Sequence, residues 1–342
     1  MNRDWLEQIM YRSIEKLDLH NLDENQVEEL IISSIRESLP DLIETIDSQL
    51  MNNLNRNLKE ERASKKSFIK DLASTWKTAF DLLEYTIELH FQYGFKLNES
   101  TMLKKNQDLR FHIHFQLHAR ACQMSREILS LIKQGYADGA MGRWRTLYEI
   151  SVISCFLHEK PFDLFERYWN YSKVESHFEL LELKKNYAKL GEDPVTDEEV
   201  KASQREIETL QNQYGSDYTK PYGWIGEYLN KKKWNFSGIE ETVQFKFMRS
   251  HYKWANNYIH SGPKSMQFKL GLWENGEDML AGPSNYGFAD PAQNTAYSLL
   301  QVSTTLSDGE NRLEDAVYLE VFGKMLDRVG DEFIRIQRSL SK

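Results

Sequence analysis

Apolar residues recur along most of the chain at every third or fourth position, the spacing of one face of an α-helix. One stripe in the N-terminal part has a leucine or isoleucine at every fourth position: Leu42, Ile46, Leu50, Leu54 and Leu58. A second apolar pattern runs from Phe68 to Ile87. Only 7 Pro and 17 Gly interrupt the 342 residues, so the pattern predicts an all-α helical bundle.

Capping sequences predict where several helices begin: Asp23 with Gln26, Asp138, Pro161, and Thr196 with Glu199. Pro40 predicts a break between two helices because proline disrupts a helix interior. A long helix is predicted from about residue 238 to His260, where Ser261-Gly262-Pro263 would end it. The one β signal is Asn275-Gly276, a dipeptide typical of a tight hairpin turn.

The domain organisation follows from where these patterns change. Residues 96–106, with KLNES and TMLKKN, form the candidate boundary. We therefore predict an N-terminal helical extension over residues 1–100 and a helical core domain over residues 101–342. The leucine and isoleucine stripe of the extension needs a surface to cover it, so we expect these helices to serve oligomerisation or docking to a protein partner.

Composition narrows the classes of protein further. No run approaches the roughly 18 apolar residues that cross a bilayer, and Cys122 and Cys155 lie in helical patterns without a disulfide framework. We expect a soluble cytoplasmic protein with no membrane segment, no cofactor and no metal. The net charge of −9 opposes non-specific attraction to nucleic acid, so contact with RNA would need a local basic pocket. Glycine-rich phosphate-binding motifs and a GxSxG elbow are absent.

The predicted helix ending at His260 carries the first candidate site. Its polar face has Arg249, Lys253, Asn256 or Asn257, and His260. Its apolar stripe consists of Phe245, Met248, Tyr252, Ala255 and Ile259. Histidine transfers protons near neutral pH, and arginine and asparagine can hold a phosphate, so this face suits phosphodiester cleavage. The alternative is a solvated face whose terminal histidine favours the helix dipole.

Arg145 and Glu149 form the second candidate. They are four residues apart on a line that continues through Val152 and Phe156, so the pair should be partly buried. A buried charged pair is costly without further hydrogen bonds, which indicates a structural or a catalytic reason. The alternative to catalysis is an ion pair within the helix that fixes its packing.

Three histidines, His112, His114 and His118, form the third pattern. His114 and His118 share a helix face at the spacing of helical zinc sites, but no HExxH glutamate accompanies them. We therefore expect hydrogen-bonded core or surface histidines in preference to metal ligands.

Four segments, in this order and spacing, are similar to a known family: ARACQMSREILSLIKQGYADGAMGRWRTLYEISVISCFL, RYWNYSKVE, YKWANNYIHSG and GPSNYGFADPAQNTAYSLL. Residues from about 108 to 305 thereby resemble the bacterial domain-of-unknown-function family 5677, helical proteins of HEPN-like character. The resemblance implies a bundle in which the helix bearing Arg145 and Glu149 packs near the one bearing His260.

Many HEPN-like proteins are metal-independent ribonucleases of toxin or antiviral systems, working as dimers with an arginine and a histidine four to six residues apart. Here Asn256 stands where that arginine would stand relative to His260, so Arg145 would substitute from another helix. The resemblance implies a ribonuclease-like effector of stress or phage defence, acting on RNA as a homodimer. The alternative is a non-catalytic helical module that binds a protein partner or a small nucleotide. On residues alone both remain open.

Overall fold

The structure is a computed structural model that describes residues 23–103, 108–158, 160–272, 279–307 and 312–340. Every regular element in these residues is a helix, and they contain no strand. The predicted all-α class is confirmed. The predicted hairpin turn at Asn275-Gly276 lies outside the described residues. None of the described helices combines the length and the apolar character needed to cross a bilayer.

The first six α-helices are long: α1 (Glu24–Thr75), α2 (Lys77–Leu103), α3 (Leu109–Lys133), α4 (Ala137–His158), α5 (Phe162–Leu190) and α6 (Asp197–Tyr214). Three short ones follow: α7 (Phe236–Glu240), α8 (Arg249–Ala255) and α9 (Pro263–Gln267). Single 3₁₀ turns flank them at Ser216–Thr219, Gly223–Tyr228, Lys231–Lys233, Lys246–Met248 and Asn256–Tyr258. Two long helices complete the chain: α10 (Ala289–Thr304) and α11 (Arg312–Leu340).

Two predicted capping boxes are confirmed. The Asp23 N–H donates to Gln26 Oε1 at 3.1 Å, and the Gln26 N–H donates to Asp23 Oδ1 at 2.9 Å. Thr196 and Glu199 exchange the equivalent bonds before α6, at 2.8 and 3.2 Å. These side chains satisfy amide groups that a helix start leaves without a partner, so the boundaries of α1 and α6 are set locally.

The predicted break at Pro40 is wrong, because α1 continues through this residue. A proline inside a helix removes one hydrogen bond and crowds one carbonyl, at a cost of about 3 kcal/mol. The Ser38 hydroxyl donates to the Ser34 carbonyl oxygen at 3.0 Å in the same turn. Residues on both sides of the proline favour helix, and their combined preference exceeds this local cost.

The chain divides into two compact units, Met1–Phe68 and Ile69–Lys342, and the division falls within α1. The sequence instead suggests a division near residue 100, in a stretch of which residues 104–107 lie outside the described ones. The apolar pattern from Phe68 to Ile87 explains the difference. Leu72 in the last turns of α1, Trp76 after it and Leu83 in α2 are almost fully buried, so the end of α1 and α2 both contribute to the core of the second unit.

The core of the second unit is organised around α10, which packs against α2, α3, α4 and α11. The Trp76 ring meets the Phe288 ring edge-on at 5.0 Å and lies 5.6 Å from the Phe333 ring. The Trp144 indole N–H of α4 contacts the Asn294 carbonyl oxygen and the Ser298 hydroxyl of α10, both at 3.0 Å. These buried contacts fix α4, which carries Arg145 and Glu149.

The predicted long helix over residues 238–260 is wrong, because the chain there forms α7, a 3₁₀ turn, α8 and a second 3₁₀ turn. Val243 and Phe245 are both buried, although a continuous helix would point residues two apart in nearly opposite directions. The Thr242 hydroxyl also donates to the Ile239 carbonyl oxygen at 2.7 Å. Burial of both side chains therefore outweighs helix continuity.

Asp138 does not cap α4 as predicted, because it lies inside the first turn. Its Oδ1 accepts the Leu270 backbone N–H at 2.8 Å. Burial raises the pKa of this carboxyl, while the hydrogen bond from Leu270 lowers it. Asp138 thus ties the chain that follows α9 to the beginning of α4.

Candidate functional site

Arg145, Glu149 and Tyr252 form a hydrogen-bonded group that we call the open cluster. Arg145 Nη2 donates to the Tyr252 hydroxyl at 2.8 Å and lies 3.2 Å from Glu149 Oε1. The Tyr252 hydroxyl in turn donates to Glu149 Oε1 at 2.7 Å. The Arg145 guanidinium also lies 4.8 Å from the centre of the Tyr252 ring. The predicted ion pair is present, and Tyr252 joins it from α8.

The open cluster is partly accessible to solvent. The Arg145 side chain is 26% exposed and that of Glu149 is 34% exposed, as expected for a partly buried pair. Burial, followed by the hydrogen bond to Glu149, raises the pKa of Tyr252 to about 12. Tyr252 therefore stays protonated at neutral pH, where its hydroxyl can accept from Arg145 and donate to Glu149 at the same time.

A second group of the same composition, the enclosed cluster, consists of Tyr148, Glu240 and Arg249. The Glu240 side chain is only 1% exposed and pairs with Arg249 Nη1. The Tyr148 hydroxyl donates to Glu240 Oε1 at 2.8 Å, and burial raises the pKa of Tyr148. Arg249, predicted to bind substrate, therefore neutralises a buried carboxylate between α7 and α8.

Aromatic contacts join the two clusters. The Tyr148 and Tyr252 rings lie 5.4 Å apart, and the Phe236 ring lies 5.0 Å from that of Tyr252. Tyr222 has φ 60°, a left-handed conformation unusual for tyrosine. Burial and Glu149 raise the pKa of Tyr222, while Arg145 lowers it. The segment from Tyr222 to Tyr252 thus closes over one face of α4.

The His260 side chain is exposed, just beyond the 3₁₀ turn that follows α8. Its backbone N–H donates to the Asn256 carbonyl oxygen at 2.9 Å. Gly142, one turn before Arg145, faces Tyr258 and Ile259: a Cβ built on it would lie 3.5 Å from an Ile259 side-chain carbon. The helix that carries Arg145 therefore packs beside the segment leading to His260, as the resemblance implies.

The other predicted polar residues have different surroundings. Lys253 is exposed and Asn257 is half-buried. The Asn256 Oδ1 is buried without a hydrogen-bond partner in the described part of the chain, as is Arg145 Nε. Across these residues the structure brings Arg145 and Glu149 together, but the His260 ring is not among their hydrogen-bond partners.

The predicted apolar stripe is correct for four of its five positions. Phe245, Met248, Tyr252 and Ala255 are buried, whereas Ile259 is 45% exposed. Ile259 follows the 3₁₀ turn Asn256–Tyr258, and the tighter turn rotates later residues away from the α-helical face.

The stretch from residue 242 to 272, here called the basic segment, contains five Lys or Arg and no Asp or Glu. It also exposes large aromatic side chains, with Phe247 66%, Trp254 47% and Phe268 48% exposed. Arg249 pairs with Glu240, so four lysines and the exposed rings give this segment its character in a chain with a net charge of −9. Such a combination suits the phosphates and unstacked bases of single-stranded nucleic acid.

Sequence reasoning missed Tyr148, Glu240 and His251 as parts of this region. The His251 ring stacks on Trp254 at 5.2 Å, and its Nδ1 lies 3.1 Å from the Oδ1 of the buried Asn294. This contact fixes α8 to α10. A tyrosine within an apolar stripe signals a buried hydroxyl that needs a partner, but the sequence does not indicate which partner.

The histidines of α3 have structural surroundings. Buried His114 lies 3.3 Å from the Ser154 hydroxyl, and burial lowers its pKa to about 3. Burial also lowers the pKa of His118 to about 4. The exposed His112 meets the Trp169 ring edge-on at 5.1 Å. The residues described contain no group of three or more His, Cys, Asp or Glu side chains that could hold a metal ion.

In comparison with known proteins, residues 111–278 match the model of a family of unknown function, DUF5677. No curated protein and no solved structure matches the chain. The DUF5677 match begins in α3 and includes both clusters, the basic segment and His260. The residues of the candidate site therefore all lie within the part of the chain that matches this family model.

Proposed function

We propose that this protein is a metal-independent, ribonuclease-like effector of HEPN-like character, which binds single-stranded RNA along the basic segment and cleaves it with His260. We further propose that it acts as a homodimer in bacterial stress or phage defence. The observation that carries the proposal is the basic segment itself: a stretch of chain without Asp or Glu that exposes aromatic rings and a histidine and packs beside α4.

Binding rests on charge and stacking. Lys246, Lys253 and Lys264 are exposed and would contact phosphates, while Phe247 and Trp254 would stack on bases. Base stacking on aromatic side chains contributes about 1–3 kcal/mol per base and tolerates any sequence. The contacts predict weak sequence preference and affinity that falls steeply with salt.

Cleavage requires proton transfer at two oxygens. His260 would take the proton from a ribose 2′-hydroxyl as its oxygen attacks the adjacent phosphorus. The bond from phosphorus to the 5′-oxygen then breaks, and that oxygen takes up the proton that His260 received. The products are a 2′,3′-cyclic phosphate and a 5′-hydroxyl, so no water or metal enters this step.

Arg145 would stabilise the negative charge that develops on phosphorus-bound oxygens, and Asn256 would position the phosphate. Glu149 partly neutralises Arg145 in the structure, so an incoming phosphate would compete with Glu149 for the guanidinium. Tyr252 holds both side chains by its hydroxyl and thereby sets the orientation of Arg145.

The test is RNA cleavage by the purified chain in excess chelator, with His260→Ala, Arg145→Ala and the matched control His112→Ala. His112 is an exposed histidine on α3 whose ring contacts Trp169 of α5. Loss of a general acid or base typically lowers the rate about a hundredfold to ten-thousandfold. We expect both site variants to lose cleavage and the control to retain it. Full activity of folded His260→Ala would refute the catalytic assignment.

A second candidate function is a non-catalytic module that binds a small nucleotide or a protein partner. A cavity of about 720 Å³ near the start of α5 favours the nucleotide version, since Tyr214, Trp234 and Arg167 line it. Titration with nucleotides, followed by Trp234 fluorescence against a Trp234→Phe control, distinguishes the two functions. Saturable binding without RNA cleavage would support the module.

A further inference from the structure

The first compact unit carries an exposed apolar stripe on α1. Five side chains form it, with exposed fractions of 42% for Ile32, 40% for Leu39, 62% for Ile43, 46% for Leu50 and 43% for Leu54. Scattered exposed apolar residues are common on protein surfaces, but an aligned row of leucine and isoleucine marks an interaction surface.

The stripe has a regular period. Ile32, Ile43 and Leu54 are eleven residues apart, and so are Leu39 and Leu50. Eleven residues make three turns of an α-helix, so these side chains lie in a nearly straight row along α1. At a rise of 1.5 Å per residue the row is about 33 Å long, which is enough to pair with another long helix.

Charge along this part of α1 is divided between its two halves. Residues 24–47 contain seven Asp or Glu and one Arg, whereas residues 48–68 contain five Lys or Arg and two Glu. Two such helices packed in parallel would place acid against acid and base against base. Packed antiparallel, the acidic half of each would face the basic half of the other.

We infer that the stripe is covered by the same stripe of a second copy of this chain, with the two α1 helices antiparallel. Four of the five side chains are symmetric about residues 46 and 47, so Leu39 would meet Leu54 of the partner subunit and Ile43 would meet Leu50 of the partner subunit. This pairing is isologous and therefore closes as a dimer.

One charged pair tests the orientation. Glu29 and Lys65 are both exposed and are 36 residues apart, which is ten helical turns, so they border the same edge of the stripe. In the antiparallel dimer Glu29 would face Lys65 of the partner subunit at both ends. Exposed ion pairs add little affinity, so this pair contributes to orientation while the apolar stripe supplies the stability.

Disulfide formation in full-length protein measures the orientation. Leu39→Cys and Leu54→Cys chains, mixed and oxidised, should form mainly the mixed disulfide dimer, whereas parallel helices would give Leu39→Cys homodimers. The parent chain with Cys122 and Cys155 is the background control. Predominance of same-site dimers would overturn the antiparallel arrangement.

Sedimentation equilibrium of Ile43→Asp measures the interface itself. Two uncompensated carboxylates near the symmetry axis should weaken the dimer about a hundredfold or more. Ser48→Asp is the matched control, because it adds the same charge on the exposed face opposite the stripe. A monomeric parent chain would show that residues 1–22 or another protein covers the stripe. An unchanged dimer in Ile43→Asp would place the interface elsewhere. Either result would overturn the inference, which does not depend on RNA cleavage.

Discussion

The open and enclosed clusters contain the same three residue types, drawn from α4 and α8 in the open cluster and from α4, α7 and α8 in the enclosed one, yet they differ in burial. The Glu240 carboxylate of the enclosed cluster is 1% exposed, whereas that of Glu149 in the open cluster is 34% exposed. A buried carboxylate needs every available donor, since an uncompensated charge costs several kcal/mol. A half-exposed one can exchange a donor for water. The enclosed cluster therefore stabilises the fold, whereas the open cluster can exchange a hydrogen bond for a contact with water or a ligand.

The largest expected effect separates the two arginines. Arg249→Gln leaves the buried Glu240 carboxylate without its cation, and an uncompensated buried charge typically costs about 3–5 kcal/mol. The matched Arg145→Gln should cost less than about 1 kcal/mol, because solvent reaches Glu149. Urea unfolding of both variants measures the difference. Equal losses of unfolding free energy would show that the ion pairs of the two clusters stabilise the fold to the same extent.

The next comparison is stability at acidic pH, since His114 and His118 are buried, as Glu240 is. Burial lowers the pKa of His114 to about 3 and that of His118 to about 4, below the ordinary value near 6.5. The unfolded chain takes up these protons below pH 6.5 while the folded chain does not. The free energy of unfolding should therefore fall between pH 6.5 and 4, by about 1.4 kcal/mol per pH unit for each histidine.

Comparing His114→Gln with the parent chain isolates one of these protons. The slope of unfolding free energy against pH should decrease by one proton in the variant, even if its stability at pH 7 is lower. An unchanged slope would mean that His114 is already protonated in the folded chain.

The two cluster tyrosines, Tyr148 and Tyr252, should differ less in their contribution to the free energy of unfolding. Tyr148→Phe leaves buried Glu240 one donor short, which should cost about 1–3 kcal/mol. Tyr252→Phe should cost less than about 1 kcal/mol, because water can reach Glu149. Under the proposed function, Tyr252→Phe should nevertheless lower RNA cleavage, since Arg145 loses the hydroxyl that orients it. Paired unfolding and cleavage measurements would reveal whether the two effects separate.

The smallest effect on stability is expected for Arg145→Lys. An exposed ion pair contributes about 1 kcal/mol or less, and lysine keeps the charge. Lysine lacks the planar fork that can contact phosphate and tyrosine together, so cleavage should fall while unfolding in urea barely changes. Arg249→Lys, in the enclosed cluster, should instead lower the free energy of unfolding more than it lowers RNA cleavage. A stable and fully active Arg145→Lys would exclude a specific role for the guanidinium.

The sequence by itself determined the helical class, the capping boxes at Asp23 and Thr196, and the ion pair between Arg145 and Glu149. Each depends on residues within one turn of helix, where spacing alone fixes the neighbours. Local patterns gave a wrong prediction at Pro40, where the flanking residues favour a continuous helix despite the proline. They also gave a wrong prediction at Asp138, whose partner Leu270 is distant in sequence.

Only the tertiary structure decided the site. Tyr252 reaches Arg145 from another helix, and Glu240 pairs with Arg249 across a break in the predicted helix over residues 238–260. That break arises because Val243 and Phe245 are both buried. The local sequence pattern does not show that tertiary packing requires both side chains to be buried. Burial also separates the two clusters, since the cost of a charge depends on the chain segments packed around it. Those segments come together only when the fold is complete.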